Sequence, residues 1–135
     1  MADADESGPA PTEIKLHQKS RVLEIAFADG KRFKLPYELL RVYSPSAEVR
    51  GHGPGQEVLQ VGKKDIDITH VEPVGSYALQ LVFSDGHDTG LYSWNYFYSL
   101  GMQQDEMWQH YLQRIKEAGA SREPGAPFAQ RAKSK

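Results

Sequence analysis

One short pattern occurs twice along this chain, and it limits the possible folds more than any other feature. Val22–Gly30 reads VLEIAFADG and Ala78–Gly86 reads ALQLVFSDG, aligning Ile25 with Leu81, Phe27 with Phe83, Asp29 with Asp85 and Gly30 with Gly86. In each copy the apolar residues alternate, Leu23/Ile25/Phe27 and Leu79/Leu81/Phe83, which is the period of a strand with one buried face. Asp-Gly then supplies the positive φ angles of a tight hairpin turn. Leu35 and Leu91 hold matching places beyond the two turns, and each second strand leads into a helix. The first helix opens at Pro36 and covers Tyr37–Arg41. The second is capped by Ser93 and ends before Gly101. Asp105–Ala118 predicts an amphipathic C-terminal helix whose apolar stripe is Met107, Trp108, Tyr111, Leu112 and Ile115. The expected class is α+β: two pseudo-repeated strand–turn–strand–short helix units as halves of one antiparallel-rich sheet, with the last helix over one face. Two copies are too few for a solenoid.

The segments around this frame have a different character. Ser44–Gln56 is rich in glycine and proline, Ile66–Val71 alternates as a further strand, and Glu72–Ser76 reads as a turn. The first ten residues carry Asp3, Asp5 and Glu6, while Ala120 onward mixes Pro124, Gly125 and Pro127 with Arg122, Arg131, Lys133 and Lys135. Neither end has an apolar period, so one domain over residues 11–119 is expected, between disordered tails at 1–10 and 120–135. With 16 Lys+Arg against 18 Asp+Glu, the net charge is -2 and no nucleic-acid partner is expected. The chain has no cysteine, which excludes disulfides, a thiol nucleophile and thiolate metal ligands. No apolar run suits a membrane span or a secretory leader, so the expected location is the cytoplasm.

Histidines are the main chemical resource: His17, His52, His70, His87 and His110. His17 on the first strand and His110 beside the apolar face of the last helix read as structural or surface groups. His70-Val-Glu72 has the spacing of two iron ligands, but that spacing is common and Pro73 follows at once. His87 leaves the second hairpin turn where the first copy has Lys31, so the turn itself does not demand an imidazole. Arg50-Gly-His-Gly-Pro-Gly55 could present backbone amides, an arginine and His52 to a carboxylate or phosphate. It lacks the Gly-Lys-Ser/Thr of a phosphate-binding loop and the spacing of a dinucleotide fingerprint. No nucleophile elbow is present, and paired carboxylates such as Asp65/Asp67 lie on turns or exposed strand faces. No catalytic residues are assigned.

Four stretches in order carry a resemblance over about residues 11–101: Leu35-Pro-x-Glu-Leu-Leu-Arg41, Ser44-Pro-Ser-Ala-Glu-x-Arg-Gly-His-Gly-Pro54, Ile68-x-x-x-Glu-Pro-Val-Gly75, and Asp85-Gly-His-x-Thr-Gly-x-Tyr-Ser-Trp94. They are similar to the gamma-butyrobetaine hydroxylase-like N-terminal domain family. That domain precedes the oxygenase of carnitine-pathway hydroxylases, where it holds a structural zinc through three cysteines and a histidine. The resemblance places Ser44, Ser46 and Val49 at the cysteine positions and His87 at the histidine. It therefore implies no structural zinc here and no carnitine-pathway chemistry, because the oxygenase domain is missing. Fusion of similar domains to iron–sulfur carrier ATPases implies an accessory role near metal or cluster handling. The functional expectation is a non-catalytic module that binds a protein partner, with a small-ligand or metal sensor as the alternative. Its expected binding patch is Arg50, His52 and His87 with Ser44, Ser46 and Tyr92. No cofactor is expected, and any metal would be held through His87 and His52. Replacing His52 or His87 by alanine is expected to change stability by no more than about 1 kcal/mol.

Overall fold

The computed structural model describes residues 9–51, 53 and 55–124. The elements are β1 (Pro11–His17), β2 (Val22–Phe27), β3 (Arg32–Pro36), α1 (Tyr37–Val42), α2 (Ala47–Arg50), β4 (Ile68–Val74), β5 (Ala78–Phe83), β6 (Leu91–Ser93) and α3 (Trp94–Glu117). The class is α+β and the pairing is antiparallel throughout, but the strands form two three-stranded sheets, β1-β2-β3 and β4-β5-β6. Each hairpin takes its third strand from the segment just before it. The outer strands β3 and β6 run directly into helices, so the two units meet through side chains rather than through a ladder. β4 extends into the turn expected at Glu72–Ser76 and ends at Val74, with Pro73 opposite Leu79. An edge position lets proline sit there without losing a ladder bond.

The repeat persists in atomic detail. Phe27 N–H donates to Lys31 O at 2.8 Å and Gly30 N–H to Phe27 O at 3.0 Å; Phe83 N–H donates to His87 O at 2.9 Å and Gly86 N–H to Phe83 O at 2.9 Å. Only the glycines are left-handed, at φ 93° for Gly30 and 90° for Gly86. These are three-residue loops closing on a glycine bulge, so a single positive φ in each Asp-Gly turn is enough.

Leu23, Ile25 and Phe27 of the first sheet share one core with Leu79, Leu81 and Phe83 of the second, and with Leu39, Leu40, Tyr92, Phe97 and Leu100. The last turns of α3 make a second cluster, where Tyr111 and Ile115 pack on Val42. The helix expected to run from the Ser93 cap to just before Gly101 and the one expected at 105–118 are one continuous helix. Gly101 lies inside it because Phe33 rests there: a Cβ at Gly101 would be 2.3 Å from the Phe33 ring. Glycine costs a helix about 1 kcal/mol relative to alanine, which is too little to end it against this packing.

The body also extends beyond residue 119. Gly62 N–H donates to Ser121 O and Lys64 N–H to Arg122 O. Arg122 grips the buried Glu38 carboxylate through two bonds of 2.8 Å and lies over the Trp108 ring. Paired charge, rather than apolar periodicity, holds this stretch, so the tail expected from Ala120 is attached to the body as far as Glu123.

Candidate functional site

The link between the two units brings polar side chains into a buried knot. α1 ends at Val42, and the chain turns through Tyr43, Ser44 and Pro45 into the short α2, which Ser46 caps by accepting from Glu48 N–H at 3.2 Å. Ser44 Oγ accepts from Ser46 N–H at 3.2 Å and lies 2.8 Å from His87 Nε2. His87 Nδ1 is 3.2 Å from the Glu48 carboxylate. Ser46 Oγ meets Thr89 Oγ1 at 2.7 Å. Tyr92 donates its hydroxyl to Leu40 O and stacks on Phe97 below the knot. Gly90 allows the close approach, since a Cβ there would sit 2.4 Å from Ser44 Oγ.

Its charges are set by burial and by near neighbours. Burial lowers the His87 pKa and the Arg41 charge lowers it further, against the opposing pull of Glu48 and Asp85. A neutral ring facing a carboxylate at Nδ1 carries its proton there, so Nε2 accepts from the Ser44 hydroxyl. Burial alone would raise the Asp85 carboxyl, but Lys63, the His87 amide and Arg41 outweigh it and hold it at about 2. Ser44, His87 and Glu48 thus follow the order of an acyl-transfer triad. Ser44 is only 2% exposed, and its oxygen is enclosed by His87, Ser46 and Gly90. Buried and held by these hydrogen bonds, the three groups form a clamp between the link and the turn at 85–90.

An open cleft of about 640 Å³ lies on the other side of the same link, between the α2 region and α3. Its side-chain wall includes Tyr43, Arg50, Glu57, Tyr96, His110 and Arg114. The Tyr96 hydroxyl donates to Tyr43 O and the Tyr43 hydroxyl to Met107 O, so both rings are anchored at both ends. The Arg50 guanidinium lies 5.6 Å from the centre of the Tyr96 ring, a cation–π contact. Arg114 Nη2 donates to Glu57 O at 3.0 Å. The Glu57 carboxyl is held below its ordinary value by its own amide and that of Gly55, with a smaller effect from Arg114. Gly51, at φ 72°, closes the rim; a Cβ there would be 2.0 Å from Gln56 O.

The expected patch therefore divides. Ser44, Ser46 and His87 come together with Tyr92 beneath them, while Arg50 stands at the cleft and His52 lies outside the described residues. Ser44 also borders the cleft with its residue surface. The His87 side chain is 3% exposed, not the surface group expected at a turn exit. Beyond the second turn the chain leaves the ladder and rejoins it only at Leu91, which lets the imidazole fold inward. Sequence reading missed Tyr96, Glu57 and Arg114 and treated His110 as structural. His110 and Arg114, four residues apart on one helix face, were the available signal.

The residues at the family's zinc positions do not fit that ion. Ser44 and His87 satisfy each other, Ser46 is occupied by Thr89, and Val49 has no donor atom. Neutral hydroxyls do not replace thiolates on zinc. Among the described residues no group of three or more His, Asp or Glu side chains converges as a metal site. Among the described residues, His70 bonds its neighbour Glu72, on the exposed face of β4.

Comparison with known proteins agrees with this architecture. No curated protein matches the chain at a significant level. Among solved structures, an NMR structure that is 52% identical covers 92% of this chain and 92% of its own, with a TM-score of 0.77. A second NMR structure is 46% identical over 87% of this chain and 93% of its own, with a TM-score of 0.75. A crystal structure from Acidithiobacillus ferrooxidans, described as a protein of unknown function of the DUF971 family, is 40% identical over 70% of this chain and 98% of its own, with a TM-score of 0.59. The model of the gamma-butyrobetaine hydroxylase-like N-terminal family matches residues 14–98. Repeated hairpins, the buried link between them and this match over most of the folded body lead to one assignment: the chain belongs to the gamma-butyrobetaine hydroxylase-like N-terminal domain family.

Proposed function

We propose that the protein is a non-catalytic accessory module of the cytoplasm that recruits a protein partner through the cleft between α2 and α3. The observation that carries this reading is how reactive and open groups are distributed. The hydroxyl and imidazole that chemistry would need are sealed in the knot. The open concavity instead offers anchored tyrosines and two guanidinium groups, which suit recognition. No helix of the described residues is long and apolar enough to cross a membrane.

The test is a pull-down from native lysate with the full chain and with an Arg50→Ala/Arg114→Ala variant. A partner retained by the parent and lost with the variant supports the module, provided that thermal melting shows both folded alike. Equal retention by both refutes recruitment through this cleft.

A further inference from the structure

The arginines of this fold divide into two groups, and the division identifies the chemistry the cleft accepts. Six arginines lie among the described residues: 21, 32, 41, 50, 114 and 122. Arg21 pairs with Asp67, Arg32 with Glu13 and Glu24, Arg41 with Asp85, and Arg122 with Glu38. Among the described residues, Arg50 and Arg114 have no carboxylate in ion-pair contact, and both line the cleft. Arg50 is held by the Tyr96 ring and Arg114 by a backbone carbonyl. Such contacts orient a guanidinium without neutralising its charge.

The one acid on the wall does not change this balance. Arg114 bonds the Glu57 backbone rather than its side chain, and the Glu57 carboxyl is lowered first by neighbouring backbone amides and to a smaller degree by the charges of Arg114 and His110. The lining therefore carries two guanidiniums and one imidazole against one carboxylate, on a chain whose net charge is -2. A volume of about 640 Å³ is far more than a bare inorganic ion needs, and Val42, Tyr43, Val49 and Tyr96 supply apolar wall.

We infer that the cleft is a receptor for one carboxylate or phosphate group carried on an aromatic or aliphatic stem. Arg50 and Arg114 are its anion-binding residues, and the faces of Tyr43 and Tyr96 receive the stem. This rests on the cleft being the working surface of the module. The anion has two possible sources, an acidic segment of the partner or a free organic acid, and both present the same group to the same fork of donors.

The experiment titrates the full-length ¹⁵N-labelled protein with phenylacetate, phenyl phosphate, a short acidic peptide and neutral benzyl alcohol. Saturable shifts at Arg50, Tyr96 and Arg114 with the anions, and none with benzyl alcohol, are expected. Arg50→Gln/Arg114→Gln should weaken anion binding by at least about tenfold, added salt should weaken it too, and Lys31→Gln at the opposite turn should leave it unchanged. A stronger response to the peptide assigns the group to a partner, and a stronger response to the small acids assigns it to a free ligand; both uphold the receptor. Absence of shifts, equal binding of benzyl alcohol, or undiminished binding by the double variant overturns it. If the anions fail while capture from lysate still requires Arg50, the receptor falls and the module stands. If the anions bind while capture ignores both arginines, the receptor stands and recruitment falls.

Discussion

The knot and the cleft are two sides of one short link, yet they use polar residues in opposite ways. In the knot, Ser44, Ser46, His87 and Thr89 bond one another; Ser44, Ser46 and His87 are buried, while Thr89 and the Glu48 carboxylate, 65% exposed, reach water. In the cleft, Arg50 and Arg114 are oriented by a ring and a carbonyl and retain their charge toward solvent. A buried polar group left without its partner costs roughly 1–3 kcal/mol, so knot residues are bound to the fold. Cleft residues carry no such cost, and their chemistry is free for recognition. The same contrast separates the two repeats: Lys31 leaves the first turn exposed, whereas His87 leaves the second turn buried. Equivalent positions therefore need not share a role.

The strongest way to break this contrast is to empty the knot. His87→Ala removes a buried ring and leaves the Ser44 hydroxyl without its acceptor, so denaturant unfolding should show a loss of about 3 kcal/mol. That replaces the expectation of about 1 kcal/mol for a surface histidine. Gly90→Ala forces a methyl group onto Ser44 Oγ and against Tyr92 and should cost about 2 kcal/mol in the same assay. Stability close to that of the parent in either variant would show that the knot is not what holds the link.

The response to pH sharpens the contrast further. The folded His87 pKa lies below its ordinary 6.5, so on acidification the unfolded chain takes up this proton before the folded chain does. The contribution of neutral His87 is complete above 6.5 and is lost as pH falls through the folded value. Melting temperature should fall on acidification below 6.5, and a His87→Asn variant should show a flatter dependence there. Asp85, whose folded value is about 2 against 3.8, should add a second loss below 3.8 that this variant keeps.

Arg50→Ala and Arg114→Ala should each change stability by less than about 0.5 kcal/mol, because both side chains stand at the cleft and neither completes an ion pair among the described residues. The smallest expected effect is that of a chelator. EDTA should leave the melting temperature of purified protein unchanged, since hydrogen bonds occupy the positions where the family's zinc ligands would stand. A large downward shift, together with one zinc per chain by elemental analysis, would contradict this.

Much of the fold is legible along the chain. Alternation at Leu23/Ile25/Phe27 and Leu79/Leu81/Phe83 marks β2 and β5, and all six residues are buried. The stripe at Tyr111 and Ile115 marks the inner face of α3. Less legible are features that depend on a neighbour distant in sequence. Gly101 reads as a stop until the Phe33 ring is placed against it. Arg122 reads as tail until Glu38 is brought within 2.8 Å. Of the site, Ser44, Ser46, Arg50 and His87 could be named in advance, but not the side of the link on which each would lie.

Patterns with a period of two or of a helical turn act over a few residues, so the repeated hairpins, their glycine turns and the apolar stripe of α3 follow from the order of amino acids alone, while the ends of β4 and the continuity of α3 do not. The loss of thiolates at Ser44, Ser46 and Val49 is legible in the same way, because it is a matter of residue type. The cleft is different in kind. Its walls come from residues near 43–57 and from α3 near 96–114, and their approach depends on how two sheets and a long helix share one core. Burial of His87 and exposure of Arg50 were decided there as well, because whether water reaches a side chain is set by everything packed around it.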